Sequence, residues 1–280
     1  MQGYYGLSLW MKNCLQGFRI AGWDDQAILS QAGVSPESLE EGYCSFDTYN
    51  NIFRSAEALY GKSACIVSRQ GMLPNSFQSL SLAMLSASSF FEALQLNVKH
   101  GNSMSNGVDW LVVDDAPVVF GFKTLPDQEV IPAVAIAMLT MMVKTARFLY
   151  PKEPVIKLVE MMQSEYEPGN IELARIIKDY FKVPIRWGCD RYAVHYCERI
   201  VKTLSITANH ELMVKYENNW LEEVAEFEEA SFLLKAEAFV RSNMSNESLN
   251  IDLLAKELNM SVRTLQRRLG LESTTFNRIV

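Results

Sequence analysis

Ile251-Asp-Leu-Leu-Ala-Lys-Glu-Leu-Asn-Met-Ser-Val-Arg-Thr-Leu-Gln-Arg-Arg-Leu269 reads as two short helices joined by a tight turn. Leu254 and Leu258, four apart, share one face of the first helix. Ala255 is small where a second helix must cross closely. Asn259 falls at the turn, and asparagine tolerates the left-handed conformation such a turn demands. Met260 plugs the junction, and the Ser261 hydroxyl can cap the second helix. Leu265 and Leu269 turn that helix's inner face to a core. Its outer face then carries Arg263, Gln266 and Arg267, with Arg268 at the edge. Arginine can bond guanine O6 and N7 together, and glutamine can do the same at adenine N6 and N7. A helix entering the major groove by its N-terminal end would present such residues to base edges. A solvated charged face is the competing reading of the same residues.

The wider pattern separates the two. Leu253 to Leu269, followed by Thr275-Phe276, resembles the first helix-turn-helix of AraC-family regulators, whose pattern runs vA-x-x-l-x-m-S-x-R-t-L-q-R-x-L, then small residues and sF. That resemblance implies base-reading roles for Arg263, Gln266 and Arg267, and structural or phosphate-contacting roles for Ser261 and Thr275. Residues from about Trp23 to Glu217 are similar to the arabinose-binding-type (ornithine-regulator-like) N-terminal sensor domain of one branch of the family. The similarity lies in Ser88-Ser-Phe-Phe-Glu-Ala-Leu94, in Phe181-Lys-Val-Pro-Ile-Arg-Trp187, and in Tyr192 and Tyr196 of the strand that follows. It implies an effector domain for a small molecule, DNA as the second partner, and a homodimer on paired half-sites. Family members carry two helix-turn-helix subdomains joined by a long helix, which would begin here near Phe276. Ending at Val280, the chain is read as truncated within its DNA-binding domain.

Charge follows the same division. The net charge is −7, which for the chain as a whole argues against nucleic acid. Residues 1–234 carry a net of −9 and residues 235–280 a net of +2. A DNA-facing surface must therefore be local, and weak specific binding by these residues as a monomer is expected. Hydrophobic residues make up 49% and charged residues 21%, ordinary for a chain that buries a core. The five scattered cysteines, none in a C-x-x-C pair, fit a reducing cytoplasm better than disulfides or zinc. The N-terminus does not read as a signal peptide. The apolar run Val130 to Val143 is shorter than the ~20 residues a bilayer needs, so a buried helix and no membrane partner are expected.

Working back toward the N-terminus, Met213, Trp220, Phe227 and Leu234 recur every seven residues on one helix. The stripe fits either a sensor-domain helix packed on its own core or a dimerising helix pair. Earlier, Asp24-Asp25 opens a helix that stops at Gly33, and Ser35-Pro36-Glu37 starts another. Ser45 caps a longer helix that ends at Gly61, and Ser88 or Ser89 caps one carrying Phe91, Leu94 and Val98. Leu80 to Leu85 fits strand or helix. Strand-like runs are Trp110 to Val113, Pro117 to Phe122, Val155 to Val159, Pro184 to Trp187 and Ala193 to Cys197, with helices after Pro126 and from Ile171 to Phe181. Gly101 to Gly107 reads as a loop. The fold class is α+β: a mixed helix and sheet sensor domain over 1–205, a helical connector over 206–230 with a dimerising role as one reading, and an all-α helix-turn-helix segment over 231–280.

For the effector, two regions stand out. Met138, Met141, Met142, Met161 and Met162 can pack a core or line an adaptable apolar pocket. Arg191, with Trp187 and Tyr196, combines a cation with aromatics near strand ends and can clamp a carboxylate-bearing molecule. The effector class is thus carboxylate-bearing or amphipathic. His100, His195 and His210 have no convincing metal partners at helical spacing, so no metal and no cofactor are expected. The chain carries no G-x-S-x-G, H-E-x-x-H or phosphate loop, and no enzyme is expected. The functional reading is a one-component DNA-binding regulator. Its alternative is a ligand-binding or dimerisation module acting through protein contacts without DNA.

Overall fold

Several helices start at side-chain caps where the residue types call for them. The computed structural model describes residues 4–40, 42–72, 76–126, 128–166, 170–243, 249–271 and 274–279, with the backbone alone for 228–231, 233–235, 237–238, 241–242 and 271. A short strand β1 (Tyr5–Leu7) leads into α1 (Ser8–Ile20). Asp24 then accepts from the amides of Gln26 and Ala27 at the start of α2 (Asp25–Ala32), which Gly33 ends at φ 65°. A 3-10 turn over Pro36–Leu39 precedes β2 (Tyr43–Ser45), which pairs antiparallel with β1. Ser45 caps α3 (Phe46–Tyr60) through the Thr48 amide, and α4 (Ala64–Val67) follows. The ambiguous segment is a helix, α5 (Gln78–Ser86). Ser89 caps α6 (Phe90–Lys99) by accepting from the Glu92 amide at 3.2 Å.

Gly101 to Gly107 is not all loop. The His100 carbonyl accepts from the amides of Ser103 and Met104, which winds one helical turn, α7 (Gly101–Met104). Gly101 is obligatory there, because a Cβ would lie 2.4 Å from Trp110 Cδ1.

The main sheet is built from β3 (Val108–Val113), β4 (Val118–Thr124), β5 (Ile156–Glu160), β6 (Ile185–Arg186) and β7 (Tyr192–Tyr196), in the order β3-β4-β7-β5-β6. Helix α8 (Pro132–Leu149) runs between β4 and β5, and α9 (Asn170–Phe181) crosses over from β5 to its parallel neighbour β6. Residues 118–122 of β4 are buried throughout, as a central strand covered on both faces should be. Helix α8 extends past the apolar run, and by length and composition alone it could cross a membrane. Its residues instead pack against α3, α4 and β7 in the core.

After α10 (Glu198–Val201), one helix, α11 (His210–Ser242), runs for 33 residues. Beyond it lie α12 (Ile251–Glu257), α13 (Val262–Leu271) and α14 (Phe276–Ile279). Helix α11 contributes to two separate cores. Met213 and Trp220, the latter 0% exposed, belong to the core that also holds the sheet and α8. Val224 and Phe227 pack against that core from its edge. Phe232, Ala236 and Val240 belong to a second core with Leu254, Ala255, Leu265 and Leu269. The seven-residue stripe is therefore buried within its own chain as far as Phe227, and a helix-pair seam through Trp220 would require that core to open. The Leu234 side chain, next in the stripe, lies outside the described residues.

Candidate nucleic-acid interface and effector cavity

Asn250 opens α12 by accepting from the Leu253 amide at 2.9 Å. Asn259 adopts φ 52°, the left-handed turn conformation, and the Met260 amide closes the turn on the Ala255 carbonyl at 2.9 Å. Ser261 Oγ accepts from the Thr264 amide at 3.1 Å, so its hydroxyl starts α13. Leu265 and Leu269 are buried while Arg263, Gln266 and Arg267 are exposed, which brings those three together on one face. Arg268 is not part of that face: its guanidinium lies 4.7 Å from the centre of the Phe232 ring and ties α13 to α11. Thr275 is exposed at the start of α14, beside an open groove that Gln266, Leu269 and Phe276 also line. Ser261 and Thr275 thus flank α13.

In the N-terminal region Trp187 follows β6 and Arg191 precedes β7, at the Glu160 end of the sheet, and Tyr196 closes β7 at its other end. Arg191 Nε donates to Glu160 Oε2 at 2.6 Å, and Arg186 Nη1 donates to Glu160 Oε1 at 2.9 Å. His195 Nε2 lies 3.0 Å from the same Oε1. Burial alone would raise the Glu160 carboxyl. The Arg191 hydrogen bond and the neighbouring His195 outweigh it and hold the group below the usual carboxylate range. Arg191 already has its carboxylate, supplied by the protein. Tyr196 is fully buried with its ring edge-on to Phe90 at 5.5 Å, and burial pushes its phenol up. Trp187 is half-buried at the end of β6.

A cavity of about 30 Å³ lies instead between α8, α6 and β3. Trp10, Tyr49, Phe77 and Trp110 form its aromatic wall, and Met104, Met138, Met141 and Met142 give it four thioethers. Leu7 and Asn97 complete it. A second cavity of about 20 Å³ shares Phe77, Met141 and Met142 with the first and is bordered by Ser81, Met84 and Leu85 of α5. The sequence left the methionines open between core and pocket lining: Met138 and Met142 belong to the core and also border the cavity, whereas Met161 is buried in the core and borders neither cavity. Asn97 was not singled out. Its signal was present all the same: Phe90, Ala93, Leu94 and Asn97 fall at i, i+3, i+4 and i+7 on the buried stripe of α6.

The elements around these cavities also grip α11. Glu217 accepts from Lys99 Nζ and sits 2.7 Å from His100 Nε2, and Trp220 Nε1 donates to Ser103 Oγ at 3.2 Å. Burial raises the Glu217 carboxyl, and the bonds from Lys99 and His100 more than reverse this. On α5, Ser79 Oγ donates to Glu223 Oε1 at 2.5 Å.

A sensing fold joined by one continuous helix to an arginine-faced helix pair is the layout of a ligand-responsive transcription regulator. Residues 22–203 match the family described as the arabinose-binding domain at the N-terminus of AraC transcription regulators, and the chain belongs to that family. It is a family of transcription regulators and not of enzymes. Comparison with curated proteins finds no match. Among solved structures the chain is similar to the transcriptional regulator CdpR from Pseudomonas aeruginosa, with a TM-score of 0.47 and 16% identity over 91% of this chain and 79% of that one.

Proposed function

We propose that the chain is a one-component regulator that senses a small molecule in its N-terminal domain and reads DNA with α13 as the second helix of a helix-turn-helix. Arg263, Gln266 and Arg267 contact base edges in the major groove, while Ser261 and Thr275 hold the helix ends near the phosphates. The observation that carries this reading is the division of α13 into a buried leucine face and an exposed Arg-Gln-Arg face. The two cores support a sensor ending near Phe227 and a reading head beginning near Phe232, with α11 as the shaft between them. An effector that shifts the grip of Lys99, His100 and Ser103 on α11 moves the reading head with it. Such a regulator works in the cytoplasm, beside the DNA. A homodimer would present two heads to paired half-sites, using a surface other than the buried Trp220 stripe.

The test is selection of duplexes from a random pool at low salt, with no ligand added. Enrichment of one short half-site is expected, with Arg263→Ala and Gln266→Ala each relaxing the base preference at one position by roughly 1–3 kcal/mol. A pool with no enriched sequence, or a sequence that both variants read unchanged, would sink the DNA-reading role and leave a sensing module that acts through protein contacts.

A further inference from the structure

We propose that the methionine-lined cavity binds an uncharged, largely apolar molecule bearing one group that both donates and accepts hydrogen bonds, held by the Asn97 carboxamide and Trp110 Nε1. This rests on the reading of the N-terminal domain as an effector sensor, and it names the chemical class of the effector.

Asn97 is 1% exposed, and neither its Oδ1 nor its Nδ2 has a hydrogen-bond partner among the described residues. Trp110 Nε1 in the same wall is likewise buried and unpartnered among them. The nearby Tyr49 hydroxyl is already committed, donating to the Leu7 carbonyl at 2.7 Å. A buried amide left without partners costs roughly 1–3 kcal/mol, and such groups in native proteins call for an explanation. Here the unmatched set is one acceptor and two kinds of donor facing an apolar space. A primary or secondary amide, or a comparable group, satisfies it.

The lining sets the rest of the class. It holds no charged residue, so a carboxylate or ammonium would be buried without a counter-ion. A monosaccharide would bring more hydroxyls than Asn97 and Trp110 can satisfy. The volume of about 30 Å³ is room for about one or two waters and is far below that of a drug-sized ligand site. Phe77, Met141 and Met142 are the partition to the second cavity, and flexible thioethers let that partition move and merge the two spaces. The site is also wired to an output. Asn97 and Met104 face the cavity from the same segment whose Lys99, His100 and Ser103 hold Glu217 and Trp220 of α11.

The experiment titrates the full chain near neutral pH with benzamide, benzoate and benzylamine, three molecules of one size and three charges, by ligand-observed NMR and thermal unfolding. Benzamide is expected to bind saturably at millimolar concentration and raise the Tm, with the two ions bound about tenfold or more weakly. Asn97→Leu should lose that preference, and Met141→Trp should fill the space and exclude benzamide. Preference for benzoate or benzylamine would overturn the class while leaving an effector cavity in place. No binding by any of the three, or benzamide bound equally well by both variants, would overturn the site itself, with a trapped water as the cavity's occupant. The DNA selection above needs no ligand, so its outcome is independent of these.

Discussion

Asn259 is the residue on which the α12–α13 turn depends, since φ 52° is strained for side chains branched at Cβ. Asn259→Val is expected to cost the second core about 1–2 kcal/mol, and Asn259→Gly close to nothing, measured as native-state hydrogen exchange of the α12 and α13 amides. This residue and the Ser261 cap were legible because each obeys a rule that spans three or four residues. Glu160 was not, because what defines it arrives from far along the chain: Arg191 is 31 residues from Glu160. The lowered Glu160 carboxyl has a consequence with a definite sign. Its contribution to stability is present above the ordinary carboxylate range and is lost as pH falls through the lowered folded value. Glu160→Gln, which resembles the protonated form, should therefore destabilise at neutral pH by about 1–3 kcal/mol. The gap to the parent chain should close in acid, and urea unfolding at the two pH values measures it. A gap that widens in acid would show that Glu160 is not held ionised by its neighbours.

At the scale of elements, a period identifies an apolar face but not what covers it. The stripe from Met213 to Phe227 was visible as a helix face, and only the tertiary structure shows it turned into its own sensor core. Strands β1 and β2 left no readable signal, because three residues are too few to show alternation and their partners are 36 or more positions apart. The helices with good caps, α2, α3 and α6, were legible almost to the residue. The position of the stripe yields a contrast between neighbours. Trp220→Ala should cost about 3–5 kcal/mol in the sensor core, whereas Leu221→Ala, 53% exposed on the same helix, should be nearly neutral. The Tm of each variant and its mass by size exclusion check this together. A dimer that Leu221→Ala dissolves, with folding intact, would place an intersubunit contact on the exposed side of α11.

The whole molecule is electrostatically divided: an acidic N-terminal domain is joined to a short basic end by one continuous helix. A net of −9 over residues 1–234 repels phosphate, so on the proposed reading DNA affinity is expected to come from the helix pair, with the N-terminal domain adding little. Among the described residues of α12 and α13, Arg268 is engaged on Phe232 while Lys256, Arg263 and Arg267 are exposed. Each phosphate contact contributes about −0.9 to the slope of log K against log salt. For one chain on one half-site the slope should therefore lie between about −2 and −4, with affinity falling steeply enough that binding is measurable only at low salt. Titration of the selected half-site with potassium chloride, read by fluorescence anisotropy, measures it. A slope of about −6 or steeper would require phosphate contacts from outside α12 and α13.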